Sequence, residues 1–434
     1  MTINNRAPAL FALMAAALIA VGLFQSWALA LAILNLCLIS AIMSLGVNIQ
    51  WGYAGLFNVG VMGFTALGGL AGVLVSTPPV VEAWQAGGSG IFTALILILL
   101  TIGGAVLAYK RLPAGRLRTA SMIIVITGGY FLARYFFDPA VEAIEAVEPA
   151  RTGYLGGLGL PIILSWAVGG VFAAGVAWVI GKIALGLRSD YLAIATLGIS
   201  EIIVAVLKNE DWLDRGVKNV SGLPRPVPFE IDLQQTPWFQ ELSNFIGLSP
   251  VDFSSIYVKL AYAGLFLTVL LILFWFSQRA LHSPWGRMMR AIRDNELSAA
   301  AMGKNITGRH LQVFVLGSAV LGIAGAMLTT LDGQFTPASY QPLRFTFIIW
   351  VMVIVGGSGN NLGAILGGFL IWFVWVEAEP LGLWLMDVLT AGLADDSGLR
   401  KHLLNSAAHM RLMVMGLILL LVLRFSPRGL IPEK

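Results

Sequence analysis

Apolar runs of about 20 residues, the length that crosses a ~30 Å hydrocarbon core, recur from one end of the chain to the other. About twelve membrane-embedded segments can be marked, at 8–24, 27–47, 57–76, 91–109, 119–136, 161–185, 189–207, 257–276, 311–331, 345–357, 362–376 and 412–424. Several are shorter than 17 residues and read as partial or broken helices. The pattern predicts an all-α fold: a polytopic transmembrane helical bundle with Gly-interrupted helices, forming one transmembrane domain over residues 1–434. An even number of crossings places both termini on one side.

Composition overrules the soluble multidomain reading that 434 residues would otherwise suggest. The chain is 58% hydrophobic and 12% charged, and its 49 glycines suit close packing of membrane helices. Cys37 is the single cysteine, which excludes an intramolecular disulfide and a cysteine-based metal site. With both termini placed in the cytoplasm, most Lys and Arg residues fall in inner segments, while only Asp190, Asp294, Glu296 and Glu433 among the acids share that side. That bias orients helices, so both termini are expected to be cytoplasmic. The net charge of +4 is then a topology signal rather than a sign of a nucleic-acid partner. Arg6, the apolar stretch 9–24 and Ala28-Leu29-Ala30 imitate a cleavable signal peptide. Apolar sequence resumes at Leu31, so an uncleaved first span is expected.

Two outer segments are long. Residues 208–256 carry Pro224, Pro226 and Pro228 in alternation, which favours extended chain over helix. Residues 375–410 mix acids, cations and amphipathic stretches. Both are expected to be loops with short surface helices.

The most polar helix lies in the inner loop 278–310. Ser283 and Pro284 suit a helix start, Gly303 an end, and Arg287, Arg290 and Arg293 fall on one broad face. Met289, Ile292 and Leu297 suggest an apolar strip, and Ala299-Ala300-Ala301 a smooth surface. Such a helix could dock on another protein through its arginines and small residues. It could equally be a basic loop that orients the flanking spans.

Glycines supply the second set of candidates. Gly359, Gly363 and Gly367, four apart, form a ridge for tight helix packing. A break at Gly356, Gly357 and Ser358 could instead expose backbone to a polar path, and Gly52, Gly55 and Gly60 interrupt the third segment similarly. Glu201 lies deep in the segment 189–207, where a carboxylate is costly; it is read either as a structural hydrogen-bonding group or as part of a pathway. Asp190, beside Ser189, reads as a helix cap. There is no Gly-x-x-x-x-Gly-Lys-Ser/Thr phosphate loop and no His-Glu-x-x-His pair, so ATP binding by that loop and zinc-enzyme chemistry are not expected in this chain.

Five stretches together resemble one family. "SPWGRMMRAIRDNE", "NIQWGYAGLFNVGVMGF", "RSDYLAIATLGISEII", "VKNVSGLP" and "VIVGGSGNNLGAILGG" are similar to segments of the LivM-type permease family of branched-chain amino acid ABC importers. The alanine run ending in glycine (Glu296, Ala299, Ala300, Gly303) loosely resembles the coupling loop of ABC-importer permeases. The resemblance covers residues 27–76 and 161–376; residues 77–160 look like an insertion with two extra spans, and Leu56-Phe57-Asn58 depart from the family pattern. The resemblance implies a permease of the cell inner membrane with no cofactor of its own and no enzymatic activity. ATP would be bound by two ATPase subunits, and the other partners would be a second related permease, an extracytoplasmic substrate-binding protein and the lipid bilayer. It implies coupling through Trp285, Gly286, Arg287, Arg290, Arg293, Glu296, Ala300 and Gly303. The translocation path would involve Gly52, Tyr53, Gly55, Asn58, Gly60, Glu201, Gly356, Gly357 and Gly359. Relatives that import urea or short amides leave the substrate open. An ion-coupled secondary carrier using Glu201 and Arg134 is the alternative, and a non-transporting subunit of a membrane enzyme complex is a third reading.

Overall fold

A computed structural model describes residues 3–393 and 397–433. The membrane helices are α1 (Ile3–Phe24), α2 (Trp27–Ala54), α3 (Val61–Ser76), α4 (Ser89–Arg111), α5 (Arg116–Glu145), α6 (Ile163–Ala184), α7 (Ser189–Asn209) and α8 (Pro250–His282). The short α9 (Pro284–Asp294) and α10 (Glu296–Ala301) follow, then α11 (Ile306–Asp332), α12 (Pro342–Gly356), α13 (Asn361–Leu389) and α14 (Met410–Phe425). Among the described residues ten helices are long and apolar enough to cross a membrane, and α3 and α12 are shorter apolar helices. Each of the twelve expected segments is therefore a helix, and two of them are the short ones.

Two boundaries differ from expectation in an instructive way. Helix α13 runs unbroken through Pro380 to Leu389, so the first part of the supposed outer loop 375–410 is membrane helix. Its acids misled the reading, because each has a partner elsewhere in the chain: Glu377 is buried and its Oε2 accepts from Gln25 Nε2 at 2.9 Å, and Glu379 pairs with Arg411 at 2.5 Å. The break near Gly52 falls between α2 and α3 rather than inside the third segment, because Gly55 closes α2 with φ +69°. Asp190 is not a cap either; Arg188 holds that position and no side chain closes the turn.

Burial ranks the helices. In α2, α11 and α13 more than half of the apolar window is buried, whereas α5 is 6% and α4 11% buried. Helices α4 and α5 form a hairpin that packs mainly on itself and shows its apolar side chains outward, as lipid requires. In the centre, Gly68, Gly169 and Gly322 meet backbone to backbone, so α3, α6 and α11 approach more closely than any side chain would permit.

The outer segment 208–256 holds short helices at Asp211–Asp214, Glu230–Gln235 and Pro237–Ile246, and no helix over the alternating prolines. Strand β1 (Val220–Ser221) pairs antiparallel with β2 (Gln334–Phe335). At the opposite face, Arg6 reaches Ser426 Oγ at 3.5 Å, which brings the two ends of the chain together.

Asp214 gives the outer loop a pH dependence. It is fully buried; Oδ1 accepts from Gly216 N at 2.9 Å while Oδ2 has no partner. Burial, reinforced by Asp211 and Glu210, pushes its carboxyl up to about 7 from an ordinary 3.8. The folded loop thus holds a proton that the unfolded loop releases, so its stability is full at low pH and falls as pH rises towards 7. Amides 211–219, corrected for intrinsic rates, are expected to gain up to about tenfold in protection per pH unit on acidification from about pH 7 to about pH 5. Asp214→Asn should flatten that profile. Protection that does not change with pH in the native protein would rule out the linkage.

Candidate functional site

The two glycine-rich breaks, far apart in sequence, meet at the inner face. Gly359 N donates to Asn48 Oδ1 at 2.8 Å, and a methyl group on Gly52 would lie 2.9 Å from Gly359 Cα. Around this contact Asn48, Gln50, Tyr53, Asn58 and Asn361 are all fully buried. Asn361 Oδ1 accepts from Asn48 Nδ2 at 3.0 Å and from the Tyr53 hydroxyl at 2.6 Å. Asn58 Nδ2 donates to Gln50 Oε1 at 2.9 Å, and Gln50 Nε2 reaches Phe314 O and Ser318 Oγ on α11 at 3.0 and 3.1 Å. Trp350 Nε1 on α12 donates to Asn58 O, and Asn58 Oδ1 accepts from Gly60 N. A buried network of this kind specifies one arrangement of the helices that share it. Here it closes the inner end of the bundle.

The C-terminal tail fills the other break. Leu430 N and Ile431 N donate to Val355 O and Gly356 O at 2.8 and 2.9 Å, and Asn360 Nδ2 donates to Pro432 O. A side chain at Gly357 would strike Ile431 O. Gly356, Gly363 and Gly367 lie where α12 and α13 cross, with room only for hydrogen. The glycine ridge therefore serves close packing, and Gly356 and Gly357 face protein backbone.

Arg293 joins this assembly to the polar inner loop. Its Nη1 donates to Gly52 O and lies 2.9 Å from Glu433 Oε2, while Nε reaches Asp294 at 3.2 Å. Arg290 stands 3.8 Å from Glu433. One guanidinium thus holds α9, the end of α2 and the tail. Arg287, Arg290, Arg293 and Arg428 line an open bowl of about 760 Å³ that also contains Asp294 and Glu433. A smaller cleft of about 170 Å³ brings Gly55, Arg293 and Glu296 together.

The single helix expected from Ser283 to Gly303 is two. Ser283 caps α9 through Gly286 N at 3.3 Å, but Asn295 interrupts with an extended backbone and caps α10 by accepting from Ser298 N at 2.9 Å. An asparagine that can bond to a nearby amide competes with helix continuation. Met289 and Ile292 face the bundle as expected, whereas Leu297 is 84% exposed and does not continue their strip. Trp285 is half-buried and donates to Gln312 Oε1, and Gly286 is buried against the end of α8. Arg287, Glu296, Ala300 and Gly303 are exposed, Gly303 with φ +73° at the end of α10.

Glu201 stands apart from all of these. It lies on the exposed face of α7, not inside the bundle, with Ile194, Gly198 and Ile202 also exposed there. Arg134 is on the peripheral hairpin and pairs with Asp138 at 3.0 Å. The two ionisable groups that an ion-coupled mechanism would use are thus not assembled in this chain.

Sequence reasoning missed Asn48, Gln50, Asn361, Trp350 and Glu433. The first two were detectable as amides closing an apolar run, and Asn360-Asn361 as polar residues directly after the glycines. Nothing local marks Glu433.

Comparison with known proteins agrees with this architecture. A family model described as "Branched-chain amino acid transport system / permease component" matches residues 29–423. The high-affinity branched-chain amino acid transport system permease protein LivM of Escherichia coli is 31% identical over 232 residues, spanning 53% of this chain and 53% of that relative. A probable branched-chain amino acid transport permease protein LivM of Methanocaldococcus jannaschii is 25% identical over 397 residues, 91% of this chain and 90% of the relative. The xylose transport system permease protein XylH of Escherichia coli is 24% identical over 403 residues, 87% of this chain and 86% of the relative. No solved structure matches. The chain belongs to the family of branched-chain amino acid transport permease components, as a multi-pass membrane transport protein and not an enzyme.

Proposed function

We propose that this chain is the inner-membrane permease subunit of an ABC importer for branched-chain amino acids. It would draw energy from two separate ATPase subunits, receive substrate from an extracytoplasmic binding protein and pair with a second permease. ATP would bind to those partners and not to this chain. The observation that carries the reading is the α9–α10 elbow. It offers an exposed surface of Arg287, Leu297, Ala300 and Met302 to a cytoplasmic partner, while Arg293 ties the same elbow to the end of α2 and to the C-terminal tail. Movement of a docked ATPase would pull on Arg293 and so on the breaks at Gly52 and Gly359. The exposed face of α7 with Glu201 suits the second permease, since a carboxylate at that depth is more stable against protein than against lipid.

Gly303→Asp is the direct test. A Cβ at Gly303 meets nothing within 4 Å, so the change leaves the bundle intact; the φ of +73° disfavours a side chain, so it disturbs the end of α10 as well as its surface. Normal membrane insertion with lost leucine uptake and loss of co-purifying ATPase is the expected result. Normal uptake in this variant would refute the docking role. The similarity to a xylose permease over most of the chain supports a sugar as the second substrate reading. Competition of labelled leucine uptake by unlabelled xylose, isoleucine and short amides separates these classes.

A further inference from the structure

The outer half of the bundle contains a cavity of about 260 Å³ between α2, α3, α11, α12 and α13. Its volume lies below the roughly 300–1,000 Å³ of drug-sized ligand sites and suits a smaller molecule. The walls are apolar: Ile39, Met43, Ile349 and Met352. Five residues with polar groups break that surface: Ser40, Ser339, Tyr340, Asp332 and Trp372. Asp332, the last residue of α11, lines the cavity, is exposed at its outer end and has no ion pair or hydrogen bond among the described residues. Trp372 also lines it, and its buried indole N–H has no acceptor.

A carboxylate at the mouth and a free indole N–H inside a mostly aliphatic chamber describe a ligand. The carboxylate calls for a cation, the indole N–H for an acceptor, and the walls for a hydrocarbon chain. A sugar fits less well, because each hydroxyl that leaves water needs a partner, and of the three lining hydroxyls those of Ser339 and Tyr340 are already bonded to Thr336 O and Thr329. We propose that this cavity is a holding site for a small zwitterion with an aliphatic side chain, its ammonium at Asp332 and its side chain against Ile39, Met43, Ile349 and Met352. The site deepens the importer reading and rests on it. The bonded Asn48–Tyr53–Asn361 network lies at the inner end of the same helices, so a ligand held here would wait above a closed exit.

The test uses the purified transporter complex without its binding protein. Radiolabelled leucine binding is measured at equilibrium, with xylose and norleucine as competitors. Saturable binding displaced by norleucine and not by xylose is expected. Asp332→Asn should weaken it by about tenfold or more, the effect of removing one charged hydrogen-bonding partner, and Asp332→Glu should restore part of it. Met43→Trp, which fills the chamber, should abolish it in a complex that still co-purifies intact. Leucine binding that is absent, or unchanged in both Asp332→Asn and Met43→Trp, overturns the site. Leucine uptake into vesicles by the unaltered complex is measured in parallel. Uptake without binding here sinks this site alone, whereas no leucine uptake at all sinks the importer reading beneath it.

Discussion

Arg293→Ala is expected to leave the protein inserted in the membrane and bound to its ATPases but to lower leucine uptake by about tenfold to a hundredfold. The substitution removes hydrogen bonds from a charged donor to Gly52 O and Glu433, each worth about 1.5–3 kcal/mol, and that range corresponds to about tenfold to a hundredfold in an equilibrium. Gly52 O remains buried, and Glu433, about three-quarters buried, keeps only Arg290 at 3.8 Å. The α9–α10 surface itself is unchanged, because Arg287, Leu297 and Ala300 do not depend on Arg293 for their exposure. ATP hydrolysis should therefore continue while transport fails, which separates loss of coupling from loss of docking. Arg293→Lys should rescue little, since one ammonium cannot reproduce the planar fork that serves Gly52, Asp294 and Glu433 together. Uptake and hydrolysis that fall in parallel would mean that Arg293 serves the docking surface instead.

The second large effect is structural. Gly68→Val should prevent the bundle from forming, seen as loss of monodisperse protein in detergent. The new side chain would meet the Gly322 carbonyl and Cα, backbone atoms on α11 that cannot rotate away. Overpacking a well-filled interior costs about 1–3 kcal/mol where side chains can yield, and more where they cannot. Gly128→Val is the matched control: it lies on the lipid-facing hairpin with nothing within 4 Å and should be neutral. If both variants behaved alike, the close approach of α3, α6 and α11 would not be a determinant of the fold.

Part of this was legible in the residues. Apolar length alone located all twelve helices, because a span must satisfy every backbone group internally and so announces itself as an unbroken run. The cap at Ser283 and the end at Gly303 followed from local backbone chemistry. Helix α13 escaped because Glu377 is hydrogen-bonded by Gln25 and Glu379 is paired with Arg411, partners that no local window contains. The elbow at Asn295 escaped because one asparagine can either continue a helix or cap the next one.

The sequence by itself thus determined the class and the places of the apolar helices, which depend on the preference of short stretches for lipid, water or a turn. Only the tertiary structure decided that Gly52 meets Gly359, that Glu433 closes on Arg293, that Asp332 stands unpaired over an aliphatic chamber and that Glu201 faces away from its own bundle. Those are relations between helices, fixed by which surfaces interlock, and a contact between distant residues leaves no mark in the local pattern of either one.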